Sequence, residues 1–273
     1  MKQIASLREE LTASVFAHEV IQRNPYTKWF KRGEANTEQV IDLVVQFSVF
    51  SNHFIPLEAK RMVNAATEEA EKEARAILGS EIGVSIDATT GNIEGHRFSH
   101  NAAHIKWLRD IGEMLGLDRN QLGKWALGSE PTHRFLKLLE EVYGSPDNNI
   151  GSGASFAIES WAGYGIGKGE EAESNNFWRE LIVGLERYNQ KNRKGLPPLN
   201  IGFFRFHFGL ETGHVANVEH ELAEVFMRRD GVYSNGLIRG GTVTNRAADA
   251  LDHPAWVLLQ PLWQHHHAFH LAG

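Results

Sequence analysis

Apolar positions recur at helical spacing along most of the chain. Near the start, Ile4, Leu7, Leu11 and Val15 share one helical face with His18 a turn further on, and the pattern stops at the breaker pair Asn24-Pro25. Asn36-Thr37-Glu38 supplies a helix start ahead of the stripe Val40, Leu43, Val44, Phe47, Phe50, Phe54 and Leu57. Residues 58–78 follow as a Glu/Ala/Lys-rich, more exposed helix. Ile105, Leu108, Ile111 and Leu115 predict another helix, ended by Gly116, with Asp118 placed to cap a short one after it. Phe135, Leu136, Leu139, Val142 and Tyr143 predict the next, stopped by Gly144. Phe177, Leu181, Ile182 and Leu185 define one more, and a last runs through residues 202–227.

Strand-like alternation is scarce, and Val84-Ser85-Ile86-Asp87 is the best candidate. There is no internal repeat and no linker rich enough in Pro, Gly or Ser to split the chain. The loop at 189–200, with Gly195-Leu196-Pro197-Pro198, has the size of a helix-to-helix connection. The expectation is a single all-α domain, a helical bundle spanning 1–273. Residues from about 231 to 273, with Gly236, Gly240, Gly241, Pro254 and Pro261, are expected as an irregular C-terminal extension.

Composition narrows the chemistry. Of 273 residues, 42% are hydrophobic and 23% charged, which is ordinary globular usage and excludes a disordered chain. A formal charge of −6 provides no global field for nucleic acid or an anionic membrane surface. The absence of cysteine excludes disulfide scaffolds, thiol nucleophiles, iron–sulfur clusters and thiolate zinc sites. A metal would have to be held by His and carboxylate, and 14 His point the same way. Met1 to Arg23 carries charges every few residues, unlike a signal peptide, and no run approaches the ~20 apolar residues of a membrane span. The expected location is the cytoplasm. The expected partner is a small-molecule substrate, with no nucleic acid or membrane, and a homodimer is compatible with this reading.

Three stretches offer metal ligands. In Phe203-Phe-Arg-Phe-His207-Phe-Gly-Leu-Glu211-Thr-Gly-His214, a helix places positions 207, 211 and 214 within roughly 60° of one another. Two imidazoles and a carboxylate on one face form the set that suits Fe(II), Mn(II) or Zn(II). The alternative is a helix with two structural histidines and a surface glutamate. Glu159, in Gly153-Ala-Ser-Phe-Ala-Ile-Glu159-Ser-Trp-Ala, has small or apolar neighbours, so it either reaches solvent or is held from outside its own helix. In Glu94-Gly-His96-Arg97-Phe-Ser-His100-Asn-Ala-Ala-His104, a helix would stack the three His on one face; a solvated turn with Glu94 paired to Arg97 is the alternative. Of these His, His104 lies nearest the apolar Ile105 and Leu108 and is the expected ligand. Together the stretches supply carboxylates and His on separate apolar helices, as a helix-bundle di-iron carboxylate site requires, without the Glu-x-x-His motifs of ferritins.

The order of these motifs resembles the heme-oxygenase-like di-iron oxidases and oxygenases, relatives of the TenA and pyrroloquinoline-quinone-biosynthesis-C proteins. The resemblance spans roughly residues 20–226. It is carried by Glu94-x9-His104, Leu115-Gly-Leu-Asp118, Glu159 after Gly153-Ala-Ser-Phe-Ala, and His207-x3-Glu211-x2-His214, with Glu211 standing where that family usually has Asp. It implies a heme-oxygenase-like helical fold and the metal ligands Glu94, His104, Glu159, His207, Glu211 and His214. It implies two Fe(II), with manganese as an alternative, O2 as co-substrate, and oxidation of a small amine, amino acid or fatty acid. A metal-free ligand-binding protein or a cofactorless oxidase on the same fold is the alternative function. The thiaminase activity of TenA relatives needs a Cys that this chain lacks.

Other signals are weaker. Gly163-Tyr-Gly-Ile-Gly-Lys168-Gly is one residue too short for a phosphate loop and lacks the Ser/Thr after its Lys. His265-His266-His267 is expected to be a solvated tail, since adjacent side chains point apart. No Gly-x-Ser-x-Gly element supports a hydrolase.

Overall fold

The computed structural model describes residues 9, 12–86, 93–210 and 239–244, the side chains of 85, 86 and 93–98 excepted. A π-helical turn at Thr12–Phe16 precedes α1 (Glu19–Gln22) and α2 (Pro25–Lys31). Then come α3 (Thr37–Val63), α4 (Glu68–Ile82), strands β1 (Val84–Ile86) and β2 (Ile93–Phe98), and α5 (His104–Met114). After α6 (Glu130–Val142), α7 (Asn148–Gly163), the single turn α8 (Glu170–Glu173) and α9 (Phe177–Asn192), α10 covers residues 202–210. Residues 239–244 form one further turn of helix. The architecture is all-α with one antiparallel ribbon, Val84 opposite Phe98 and Ile86 opposite Ile93.

Helix α3 is the axis of the bundle. Asn36 caps it in a reciprocal box with Gln39. Its first half, Val40, Leu43 and Val44, packs into a core with Phe30, Leu108, Ile111, Leu181, Leu185, Phe203 and Phe204. Its second half, Phe54 and Leu57, belongs to a second core with Phe135, Leu139, Val142, Tyr143 and Phe156. Trp161 of α7 touches both cores, so the two meet near the middle of the bundle. By length and composition α3 could cross a membrane, and half of its most apolar window is buried inside the protein.

The structure corrects several local expectations. The exposed helix expected at 58–78 is two pieces: α3 continues to Val63, and α4 starts afresh at Glu68 with Thr67 capping the Ala70 amide. Asp118 starts no α-helix; its carboxylate accepts from the Asn120 amide in a turn. Glu94, His96 and Arg97 lie on β2, His100 on a 3-10 turn and His104 at the first position of α5, so the three His do not share a helix face. Strand formation at Val84–Ile86 matches the alternation seen there. The helix expected through 227 is present over 202–210, and the rest of it lies outside the described residues, as does most of 231–273.

Two close approaches of backbone fix the packing, and the second positions the site. Gly184 in α9 lets α2 press against it; a Cβ there would sit 2.4 Å from a ring carbon of Phe30 and 2.5 Å from the Phe30 carbonyl oxygen. Gly83 ends α4 at φ 83°, and a Cβ there would sit 2.3 Å from the Ser99 carbonyl oxygen and 2.8 Å from the Ala103 amide. The Ser99 amide donates to the Gly83 carbonyl at 3.0 Å. That closure returns the chain from the ribbon to the end of α4, a short 3-10 turn before Ala103 and His104.

Candidate metal centre

Glu81, His104 and His207 converge. Each offers a ligand atom, and these atoms lie within 4.8 Å of one another. Glu81 comes from the last turn of α4, His104 from the first turn of α5 and His207 from α10. His104 and His207 are buried, with ring centres 4.5 Å apart. His104 Nδ1 lies 3.0 Å from Glu81 Oε1, yet it has no hydrogen-bond partner, so the pair is close without being aligned. Two donors aimed at a shared ion, rather than at each other, have this relationship.

Each imidazole is oriented through its other nitrogen. His207 Nδ1 lies 2.7 Å from the Phe203 carbonyl oxygen, one turn earlier on its helix, so Nδ1 is the donor of this bond. His104 Nε2 lies 3.4 Å from Ser80 Oγ. Metal-ligating His side chains are held this way by partners behind them. The donor chemistry, one carboxylate and two imidazoles, fits Fe(II), Mn(II) or Zn(II).

The three residues line a cavity of about 70 Å³ walled by residues of both cores. Its walls are mainly aromatic and aliphatic, with Phe47, Phe50 and Phe54 from α3, Ile158 and Trp161 from α7, and Trp178 and Phe203. Glu159, half-buried on α7, lines the same cavity. No Lys or Arg is among the described residues lining it.

One turn beyond Phe54 on the same face of α3 lies Glu58, with no solvent exposure at all. The Tyr143 hydroxyl donates to Glu58 Oε1, while Oε2 has no partner. Burial pushes this carboxyl up to about 7, with Arg61 and the Tyr143 bond opposing and the charges of Glu159 and Glu81 adding to the rise. Tyr143 is raised well above its ordinary value, by burial first and the Glu58 charge second.

Of the six residues expected as ligands, the structure brings His104, Glu159 and His207 to one cavity. Glu94 is on β2, its side chain outside the described residues, and Glu211 and His214 lie outside them altogether. His100 is exposed on its turn. Glu81 was not among the residues singled out from the sequence. The signal was available: Ala74, Ile77 and Glu81 share one helical face, a carboxylate on the buried stripe of an amphipathic helix. Glu58 carries a similar signal as a charged position continuing the Ser51, Phe54 stripe.

The fold is heme oxygenase-like. The whole chain superimposes on 96% of a domain of unknown function with that fold from Shewanella denitrificans OS217, at 12% sequence identity and a TM-score of 0.62. Neither a protein-family model nor a curated protein matches the sequence.

Proposed function

We propose that this protein is a non-heme iron enzyme that activates O2, with Glu81, His104, Glu159 and His207 among its metal ligands and Glu211 and His214 of the sequence motif completing the set. The observation that carries this reading is the convergence of Glu81, His104 and His207, with an unbonded His104 nitrogen, in the wall of a largely aromatic cavity. Iron bound there, two ions when all six donors engage, would supply the redox chemistry that O2 activation needs and that no side chain provides. The Phe203 carbonyl and Ser80 hold the two imidazoles in their orientations, so little rearrangement accompanies ligand binding. Phe47, Phe50, Trp161 and Phe203 keep bulk water from the reacting groups.

The substrate is a small amine, amino acid or fatty acid that undergoes N-oxygenation, desaturation or C–C cleavage. The cavity is about half the ~150 Å³ that admits benzene, so only a short segment of the substrate enters it without side-chain movement. Its apolar part lies against the Phe and Trp walls, and its reacting carbon or nitrogen faces the Glu/His group.

Anaerobic Fe(II) loading followed by mixing with oxygenated buffer tests the reading. Wild type is expected to bind iron and oxidise it faster than His104→Ala or His207→Ala. Equal, slow oxidation in all three would overturn it in favour of a metal-free binding protein.

A further inference from the structure

Two donors in the cavity wall have no use in the metal reading. Trp161 of α7 and Trp178 of α9 both line the cavity, and the indole Nε1 of each is buried without a hydrogen-bond partner. Trp178 as a whole is only 6% exposed. An indole N–H can only donate, and a buried Trp usually finds an acceptor for it. Leaving such a group unpaired is unfavourable, because its lost hydration is not replaced. The neighbouring rings supply no acceptor. Those against Trp178 are Phe47, Phe177, Phe203, Phe204 and His207, and Trp161 lies against Phe177. The cavity that both indoles line is therefore the space from which an acceptor can reach them.

Position and charge then define what enters. The ring centre of Trp178 is 4.8 Å from that of His207, one of the three convergent residues, so an oxygen accepting from Trp178 sits close to that group. Glu81 and Glu159 are among the described residues lining the cavity, and no Lys or Arg is. A carboxylate would meet like charge there and lose its hydration without a counter-charge, whereas an amide or hydroxyl oxygen needs only the N–H groups. Resting on the reading of this cavity as the substrate site, we propose that the indole N–H groups of Trp161 and Trp178 form a subsite for a hydrogen-bond acceptor. The segment of the amine or amino-acid substrate that enters carries an uncharged amide or hydroxyl oxygen. A plain alkylamine segment or a fatty-acid tail would leave both donors unpaired.

The test follows the indole N–H signals of full-length, isotopically labelled, metal-free protein by heteronuclear NMR during titration with propionamide, propionate or propylamine. Trp161→Phe and Trp178→Phe keep an aromatic ring, remove the donor and assign the two signals, with the melting temperature as a folding control. Propionamide is expected to move both signals downfield in wild type, and propylamine to leave them in place. Trp178→Phe is expected to weaken propionamide binding about 3–10-fold while the Trp161 signal still responds. Propionate binding as tightly as propionamide overturns the choice of an uncharged oxygen. An equal response to propylamine, or no movement of any of the seven indole signals of wild type, overturns the subsite, and neither outcome needs a variant to fold. Fe(II) binding is measured separately on the same preparation. An indole response without iron binding overturns the metal reading and leaves the subsite standing; iron binding without an indole response overturns the subsite alone.

Discussion

Glu81 Oε1 and His104 Nδ1 lie 3.0 Å apart although the whole β-ribbon separates them in sequence. The contact exists because α4 ends on Gly83 and the chain leaving the ribbon closes back onto that glycine. A carboxylate–imidazole pair is thus made from a helix end and a helix start, with the ribbon between them.

That junction predicts a strong effect of Gly83→Ala. A non-glycine residue at φ 83° costs about 1–2 kcal/mol, and the added Cβ collides with Ser99 and Ala103. The melting temperature is expected to fall and metal affinity to fall with it, because His104 follows Ala103. Calorimetry and a chelator-competition titration check both; a variant with unchanged metal affinity would show that the junction does not position His104.

Glu81 and Glu94 can be separated by paired substitutions. Glu81→Gln is expected to weaken Fe(II) or Co(II) binding by at least about tenfold, since it removes a group at the His104/His207 convergence. Glu94→Gln is expected to have a smaller effect. The opposite ranking in bound metal would favour Glu94, the ligand that the family resemblance implies.

His104 and His100 differ in the same way. His104 is 2% exposed and beside His207, whereas His100 is exposed on a 3-10 turn. Replacing His104 by Ala is expected to abolish metal binding, and replacing His100 to leave it within about twofold of wild type. Metal analysis after dialysis decides the matter.

The apo protein should lose stability as pH rises. Glu58 is raised from 4.5 to about 7 in the folded state, so folding favours its protonated form. The contribution is fullest below pH 4.5 and is lost through about pH 7, amounting to about 3 kcal/mol in all. Asp42, raised to about 6 by burial, acts in the same direction. Urea denaturation of metal-free protein from pH 5 to 8 is expected to show this fall, and Glu58→Gln to flatten it. A slope identical in the variant would assign the effect elsewhere.

Gly184→Ala tests the packing of α2 on α9. The added methyl would meet the ring and carbonyl of Phe30, and overpacking of this kind costs about 1–3 kcal/mol. A lower midpoint in thermal unfolding is expected, with metal affinity preserved because Phe30 lies away from the cavity walls.

Helical periodicity and the absence of cysteine determine much of this protein from sequence alone. The stripe from Val40 to Leu57, the capped start at Asn36, and the apolar faces of α5, α6 and α9 are local properties, because each helix's hydrogen bonds and amphipathic pattern lie within its own residues. Lack of thiols likewise restricts any metal to His and carboxylate ligands. His104, Glu159 and His207 were legible because each is a polar group set among apolar neighbours. Which acid meets His104 was not. The family resemblance implied Glu94, which lies in residues 93–98 that pair as a strand with β1, and pairing energy across a ribbon has no trace in helical spacing. Glu81 reaches His104 only after Gly83 folds the chain back, and Glu58 faces Tyr143 only after α3 and α6 pack. Convergence of side chains from five helices is a property of their packing, and packing is decided by contacts between residues far apart in the chain, which the tertiary structure alone specifies.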